Sequence, residues 1–179
     1  MASERLRLFV ALLLPADAVT SLAAWQAREL AGHAGLRIVP GPNLHLTVAF
    51  LGGRPADDVE RVAQALRESA RHAYPLVLEP TRYRETRSVA MIVFADQDDR
   101  AKVLAERVFT GLEGLGVYER ERRGWLPHVS VARFRERPRL APPVPELGAV
   151  VSSEMAVMMS RLRPSGAQYE VLESVSLGG

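Results

Sequence analysis

One short pattern occurs twice in this chain, and it sets more limits on the fold than anything else in it. Asn43-Leu44-His45-Leu46-Thr47-Val48-Ala49-Phe50 is nearly copied, 83 positions later, by Pro127-His128-Val129-Ser130-Val131-Ala132-Arg133. Each copy runs histidine, apolar residue, hydroxyl residue, apolar residue, alanine. Successive side chains of an extended strand point to opposite faces. His45 and Thr47 therefore share one face, and Leu44, Leu46, Val48 and Phe50 share the other. In the second copy His128 and Ser130 share a face, backed by Val129 and Val131. Two such strands bury one side in a core and present imidazole plus hydroxyl on the other. Facing each other, they would make a symmetric two-histidine site suited to acid–base chemistry on a phosphate.

A single histidine beside a threonine in a strand is most often a satisfied, half-buried polar residue. Repetition of the whole pattern is what argues otherwise. Of the four histidines in the chain, two fall in the repeat. The other two, His33 and His72, sit near the ends of predicted helices and read as solvated surface residues.

At 179 residues the chain can build one generous domain or two small intimate lobes. Cysteine is absent, which removes disulfides, thiolate metal sites and a cysteine nucleophile and suits a reducing compartment. The apolar run Leu8 to Leu14 is too short to span a bilayer and has no small-residue cleavage site, so it reads as a strand. A cytoplasmic location follows as an expectation, with no membrane contact. Net charge is only +2, yet Lys102 is the sole lysine and all other basic side chains are arginine. Arginine suits bidentate phosphate recognition, although a GC-rich genome gives the same bias. Placement says more: Arg133, Arg135, Arg137 and Arg139 follow the second motif, and Arg120, Arg122 and Arg123 precede it. A phosphate near His128 would meet a positive field.

Periodicity gives a strand over 6–14, a helix over 18–30 capped by Asp17, a short strand over 37–39 and a turn over 40–43. The first motif strand, 44–51, ends at Gly52-Gly53, and Asp57 or Asp58 caps a second helix. Strands over 74–79 and 89–95 flank a polar segment, 81–88. A third helix spans 99–112, and 117–122 is extended. Pro138, Pro142, Pro143 and Pro145 make 135–145 a loop. Strands over 150–162 and 169–177 meet at Pro164-Ser165-Gly166. The mixture predicts an α+β fold with sheets covered by helices on one side: a single bilobal unit over 1–179, pseudo-twofold, with two antiparallel sheets facing a central cleft.

Other motifs gather no support. Gly111-Leu112-Glu113-Gly114-Leu115-Gly116 follows a helix, the reverse of a dinucleotide loop's context. No histidine pair has zinc spacing, and no carboxylate lies close to either motif, so no metal or other cofactor is expected. Ser130 lacks the Gly-x-Ser-x-Gly elbow of a hydrolase.

With both motifs, the opening Arg7-Leu8-Phe9-Val10-Ala11, and Ser160-Arg161-Leu162-Arg163-Pro164-Ser165-Gly166-Ala167-Gln168-Tyr169 near the end, the chain resembles the 2H phosphoesterases over nearly its whole length. It looks most like their RNA 2′,3′-cyclic phosphodiesterase branch, historically called 2′-5′ RNA ligases. It departs from them at Ile38, where an aromatic residue is common, over 87–95, and in the Pro-rich loop. The resemblance implies a bilobal α+β fold with a central cleft and metal-free opening of a cyclic phosphodiester to a 2′-phosphomonoester. Reversible 2′-5′ joining of RNA ends is known for some members. It further implies His45 as general acid to the leaving 3′ oxygen and His128 as general base for water. Sequence symmetry alone leaves the two interchangeable. Thr47 and Ser130 can donate to the non-bridging oxygens, and Arg133 is the candidate for a further phosphate contact. Its offset of five from His128 puts it on the wrong face of an ideal strand, so a bulge or the strand's end must redirect it. The expected ligand is an RNA end carrying a 2′,3′-cyclic phosphate, or a small cyclic phosphodiester, bound by a monomer. A phosphodiesterase for 2′-5′ oligonucleotides or small cyclic nucleotides, and a non-catalytic RNA-end binding module, are the alternatives. Trp125, Tyr83 and Tyr169 are each open between stacking and packing, with packing favoured for Trp125.

Overall fold

The computed structural model describes residues 4–178. Nine strands form one continuous, curled sheet with three α-helices. β1 (Arg5–Leu13) leads into α1 (Ala16–Glu29), then β2 (Arg37–Ile38), a one-turn 3₁₀ helix at Gly41–Asn43, and β3 (His45–Pro55). α2 (Asp58–Ala70), β4 (Leu76–Glu85), β5 (Val89–Asp96) and α3 (Arg100–Gly114) follow. β6 (His128–Arg133), β7 (Val150–Ser152), β8 (Glu154–Arg163) and β9 (Gly166–Ser176) complete the chain. Among the described residues no helix is long and apolar enough to cross a membrane.

The strand order is β7-β4-β5-β6-β3-β1-β8-β9, with β2 also on β6, and every pairing is antiparallel. The motif strands β3 and β6 are the two central neighbours. The expected pair of sheets is thus two four-stranded halves, joined at mid-sheet through one residue pair, Leu46 with Val129. The chain passes from β7 to β8 through Ser153 alone, and Ser152 Oγ donates to Leu13 O at 2.8 Å. One edge of the sheet therefore lies against the end of β1 in the other half, and the sheet must curl.

The helices lie on one face because the strands alternate. Leu8, Val10 and Leu12 of β1, Leu46 of β3, Ile92 of β5 and Val129 of β6 share one core with Leu22, Trp25, Leu66, Leu104 and Val108 from the helices. Fully burying a side chain of this size contributes about 1.5–3 kcal/mol. The opposite face carries a small separate cluster of Phe9, Ala11, Ala156 and Met158, with Leu13 and Tyr169 packed on it.

Some boundaries differ from the expectation. Pro15, not Asp17, is the residue before α1. Asp17 sits inside the first turn, where its carboxylate accepts from Ala18 N at 2.8 Å. Asp57 precedes α2 without a side-chain cap. β3 runs on through Gly52, whose φ of 71° suits glycine. The polar segment after residue 80 is not a connector: β4 continues to Glu85 and pairs with β5 along its length. Residues 117–122 form no strand. The predicted strand over 150–162 is broken at Ser153 into β7 and β8. The Pro-rich segment is a loop, as predicted, tied down by buried Glu85. That carboxylate accepts from Tyr83 Oη, Arg137 Nε and the backbone N–H groups of Arg139 and Leu140. Burial alone would raise the carboxyl's pKa, but these four donors outweigh it and hold the pKa below its ordinary value.

Candidate functional site

β3 and β6 present His45, Thr47, His128 and Ser130 to a single cleft of roughly 1160 Å³. All four side chains are half-buried, and the residues between them, Leu46 and Val129, are fully buried. Leu46 opposite Val129 is the centre of the repeat's twofold symmetry. On that register His45 faces Ser130, and Thr47 faces His128.

Each imidazole is locked in the same way. His45 Nδ1 lies 2.8 Å from Asn43 O, and His128 Nδ1 lies 2.8 Å from Leu126 O. A carbonyl oxygen only accepts, so Nδ1 must carry the proton in both rings. Nε2 is then the atom that gains or loses a proton. His45 Nε2 is 2.9 Å from Thr47 Oγ1. Among the described residues, no protein group hydrogen-bonds His128 Nε2.

His45 is also walled by aromatic rings. Phe9 lies 5.0 Å from it by ring centroids, and Tyr169 stands edge-on at 5.3 Å. Asn43 fastens this wall, because its side-chain amide donates to Ala167 O at 2.8 Å and so holds the β8–β9 hairpin that carries Tyr169. Burial pushes the His45 pKa down to about 4. The bond to Asn43 O opposes that shift, while the charges of His128 and Arg133 add to it. The His45 imidazole is therefore neutral at pH 7.

Both motif strands are bulged at the third residue after the histidine. β1 pairs Ala11 with Thr47 and Val10 with Ala49, which leaves Val48 extra. β5 pairs Met91 with Ser130 and Ala90 with Ala132, which leaves Val131 extra. A bulge shifts the alternation by one. Arg133 consequently returns to the face of His128 and lines the cleft, as its proposed role requires. The same shift overturns the expectation for Phe50: it is 59% exposed, lines the cleft, and does not share the buried face of Leu46. Phe50 and Arg133 are equivalent positions of the repeat.

The bulge at Val131 has a support that the sequence reading missed. Gln26 of α1 is 2% exposed, and its amide donates to Val131 O at 2.8 Å and Val39 O at 3.0 Å. The signal was available: Gln26 stands midway between Leu22 and Leu30, a polar residue on the apolar stripe of a helix.

Trp125 lines the cleft, and its Nε1 donates to Thr47 O at 2.9 Å, tying one half to the other. Tyr169 joins the site. Tyr83 does not, since it packs toward Trp25 and bonds Glu85. The arginines divide differently from the expectation. Arg122, Arg123 and Arg133 line the cleft, joined by Arg37 and Arg84, which sequence order did not bring forward. Arg120 also borders it but is engaged by Glu106 and Glu113. Arg137 is engaged by Glu85 in the Pro-rich loop. His33 and His72 are exposed surface residues.

A family model described as LigT like Phosphoesterase matches residues 12–84. An RNA 2′,3′-cyclic phosphodiesterase of Thermus thermophilus is 32% identical over 183 residues, covering 97% of this chain and 91% of the relative. The chain belongs to the LigT-like phosphoesterases. A second RNA 2′,3′-cyclic phosphodiesterase, from Archaeoglobus fulgidus, is 26% identical and covers 89% of this chain and 91% of its own. Among solved structures, TT0787 of Thermus thermophilus superposes with a TM-score of 0.82 at 29% identity, over 97% of this chain and 98% of that one. The E. coli LigT complexed with 3′-AMP shares the fold, with a TM-score of 0.82 at 21% identity over 97% and 99% of the two chains. The two His-x-Thr/Ser motifs of this 2H phosphoesterase are the ones its geometry brings together.

Proposed function

We propose that this phosphoesterase opens the 2′,3′-cyclic phosphodiester at an RNA end to a 2′-phosphomonoester, without a metal ion. One observation carries the reading: two imidazoles, each fixed at Nδ1 by a carbonyl, offer Nε2 to the same cleft with a hydroxyl beside each. His128 takes a proton from water as its oxygen attacks phosphorus. The bond from phosphorus to O3′ breaks, and His45 gives O3′ its proton. Thr47 and Ser130 donate to the non-bridging oxygens, where charge grows. Arg133 adds positive charge to the cleft. The metal-free part is supported by the donor set, since among the described residues no group of three His, Asp or Glu side chains could hold a cation. With a ribose 5′-hydroxyl in place of water, the same proton transfers join two RNA ends through a 2′-5′ linkage, and in reverse they cleave it.

The low pKa of His45 constrains this scheme. A general acid must start protonated, and a pKa of about 4 leaves His45 neutral at pH 7. An anionic phosphodiester placed between the imidazoles favours the charged ring and raises its pKa. Substrate binding therefore brings the proton that catalysis uses. The test is an NMR titration of His45 with and without a nucleoside 2′-phosphate. Its midpoint moves up from about 4 in the complex. A midpoint that stays put makes His45 the base and exchanges the two roles.

The activity itself is tested with a nucleoside 2′,3′-cyclic phosphate in excess EDTA. The outcome is turnover giving only the 2′-monoester, because a fixed acid reaches one ring oxygen. Activity lost to chelator and restored by zinc, magnesium or manganese ends the metal-free scheme. An equal mixture of 2′ and 3′ products ends the assignment of acid and base.

A further inference from the structure

The segment between α3 and β6 forms one wall of the cleft. Residues 120–126 all line it, yet among the described residues no backbone–backbone hydrogen bond holds the chain from Tyr118 to Leu126. The end of α3 sets its course. Gly116 N–H donates to Glu113 O at 2.9 Å, Val117 N–H donates to Leu112 O at 3.2 Å, and Gly116 has a φ of 67°. This is the left-handed glycine cap that turns a chain off the end of a helix. Arg120 can then reach back to α3 carboxylates 14 and 7 residues upstream.

Side chains fasten this arm at two places. At the first, Glu106, Thr110 and Glu113 share one face of α3 by their spacing. Arg120 bonds all three: Nη1 donates to Glu106, and Nη2 donates to Glu113 Oε2 at 3.2 Å and Thr110 Oγ1 at 3.5 Å. Its guanidinium lies 5.4 Å from the centroid of the Phe109 ring, and Phe109 stacks on Tyr118 at 5.3 Å. One exposed ion pair contributes little, but this guanidinium joins two carboxylates and an aromatic face. At the second place, Trp125 Nε1 donates to Thr47 O at 2.9 Å, and the next carbonyl, Leu126 O, accepts from His128 Nδ1 at 2.8 Å. The far end of the arm therefore holds the backbone of one motif hydroxyl residue and fixes the ring of one motif histidine.

We propose that Arg120 is a positioning residue: its clamp on Glu106 and Glu113 holds the arm so that Leu126 O keeps the His128 ring aimed and the Trp125 indole keeps its bond to Thr47. Arg120 acts through the chain, not on the substrate. Small displacements of a reacting group are costly, since about 1 Å can lower a rate by roughly 10²-fold. The step served is the one in the cyclic phosphodiesterase reading above, on which this inference rests. It makes α3, a helix on the opposite face of the sheet, part of the support of the site.

The two tryptophans of the chain supply the test. Both indoles are hydrogen-bonded, Trp125 to Thr47 O and Trp25 to Pro143 O, so Trp25 is an internal control. Hydrogen–deuterium exchange of the two indole N–H groups is followed by NMR in the wild type, Arg120→Ala and Arg120→Lys. Kinetics use a nucleoside 2′,3′-cyclic phosphate. In Arg120→Ala the Trp125 indole exchanges about tenfold faster and kcat falls about tenfold, the scale of a weak ionic and cation–π network. Trp25 is unchanged, and KM moves less than kcat. Arg120→Lys keeps the charge but not the fork, and recovers part of both losses. The double variant Glu106→Gln, Glu113→Gln reproduces the Arg120→Ala losses and adds nothing to them when combined with it. An unaltered Trp125 indole, or equal acceleration of both indoles, overturns the clamp. Faster Trp125 exchange with unaltered kcat overturns its service to the site. A wild-type protein that turns over no cyclic phosphate overturns the phosphodiesterase reading instead. In that case selective acceleration of the Trp125 indole in Arg120→Ala still supports the clamp, and its absence overturns both.

Discussion

The two motif strands have the same frame and different surroundings. Each buries its odd apolar residue, pins its histidine through a carbonyl two residues upstream, and bulges one position after its hydroxyl residue. The frames differ in what surrounds the rings. In the first half, His45 is enclosed by Phe9, Tyr169 and Thr47, and the position five residues on is Phe50. In the second, His128 Nε2 has no protein partner among the described residues, and the equivalent position is Arg133. A duplicated frame fixes where two imidazoles stand. Their neighbours differ, and burial among aromatic rings pushes the pKa of His45 down, so a symmetric backbone can carry asymmetric chemistry.

The largest expected effect tests the shared frame. His45→Ala and His128→Ala each lower kcat by about 10²–10⁴-fold, the range for a positioned acid or base. The double variant costs less than the product of the two, because the rings act together. His33→Ala and His72→Ala stay within a few-fold. Equal loss in a His33 variant would break the comparison at its root.

Next comes the asymmetry in burial. An unfolded histidine titrates near pH 6.5, and folded His45 near 4. Between those values the unfolded chain binds a proton that the folded one refuses, so stability rises with pH across this window and is lost as pH falls through it. The full difference is about 3 kcal/mol. Urea unfolding at pH 7 and 4.5 should show this component in the wild type and not in His45→Asn, whose carboxylates are unchanged. Equal pH dependence in the two proteins would mean that His45 is not held neutral by its walls.

Gln26 sharpens the comparison because it braces only the second bulge. Gln26→Met leaves Val39 O without its side-chain donor and removes one of two from Val131 O. The expected loss is about 2 kcal/mol in unfolding free energy, with KM rising more than kcat falls as Arg133 loses its aim. A stability loss with unaltered KM would leave Gln26 a purely structural residue. Smallest is Trp125→Phe, which removes the indole bond to Thr47 O and costs about 1 kcal/mol of stability.

Much of this was legible in the chain. Strict alternation placed His45, Thr47, His128 and Ser130 on one face, and apolar stripes marked all three helices. Two kinds of feature were not legible. Val48 and Val131 are ordinary strand residues, and what makes them bulge is the register of neighbouring strands distant in sequence. Hydropathy could not show that Phe50 crosses to the cleft, and sequence alone required some redirection of Arg133 without saying which kind. The second half of β4 was missed because both of its faces are polar. Arg82 and Arg84 share the cleft face with Val93 and Met91, their partners on β5, while Tyr83 and Glu85 turn inward to a buried hydrogen-bonded cluster. Period two is present in Thr81-Arg82-Tyr83-Arg84-Glu85, but it is written in polar residues on each side.

The single rung between Leu46 and Val129 has a mechanical meaning. Each motif imidazole stands one residue from it, and among the described residues no other ladder pair joins β3 to β6. The separation of the two imidazoles is thus gauged by one pair of fully buried side chains, with the Trp125 indole as a second tie. Trimming a methyl group from Val129 alters a working distance as well as a core.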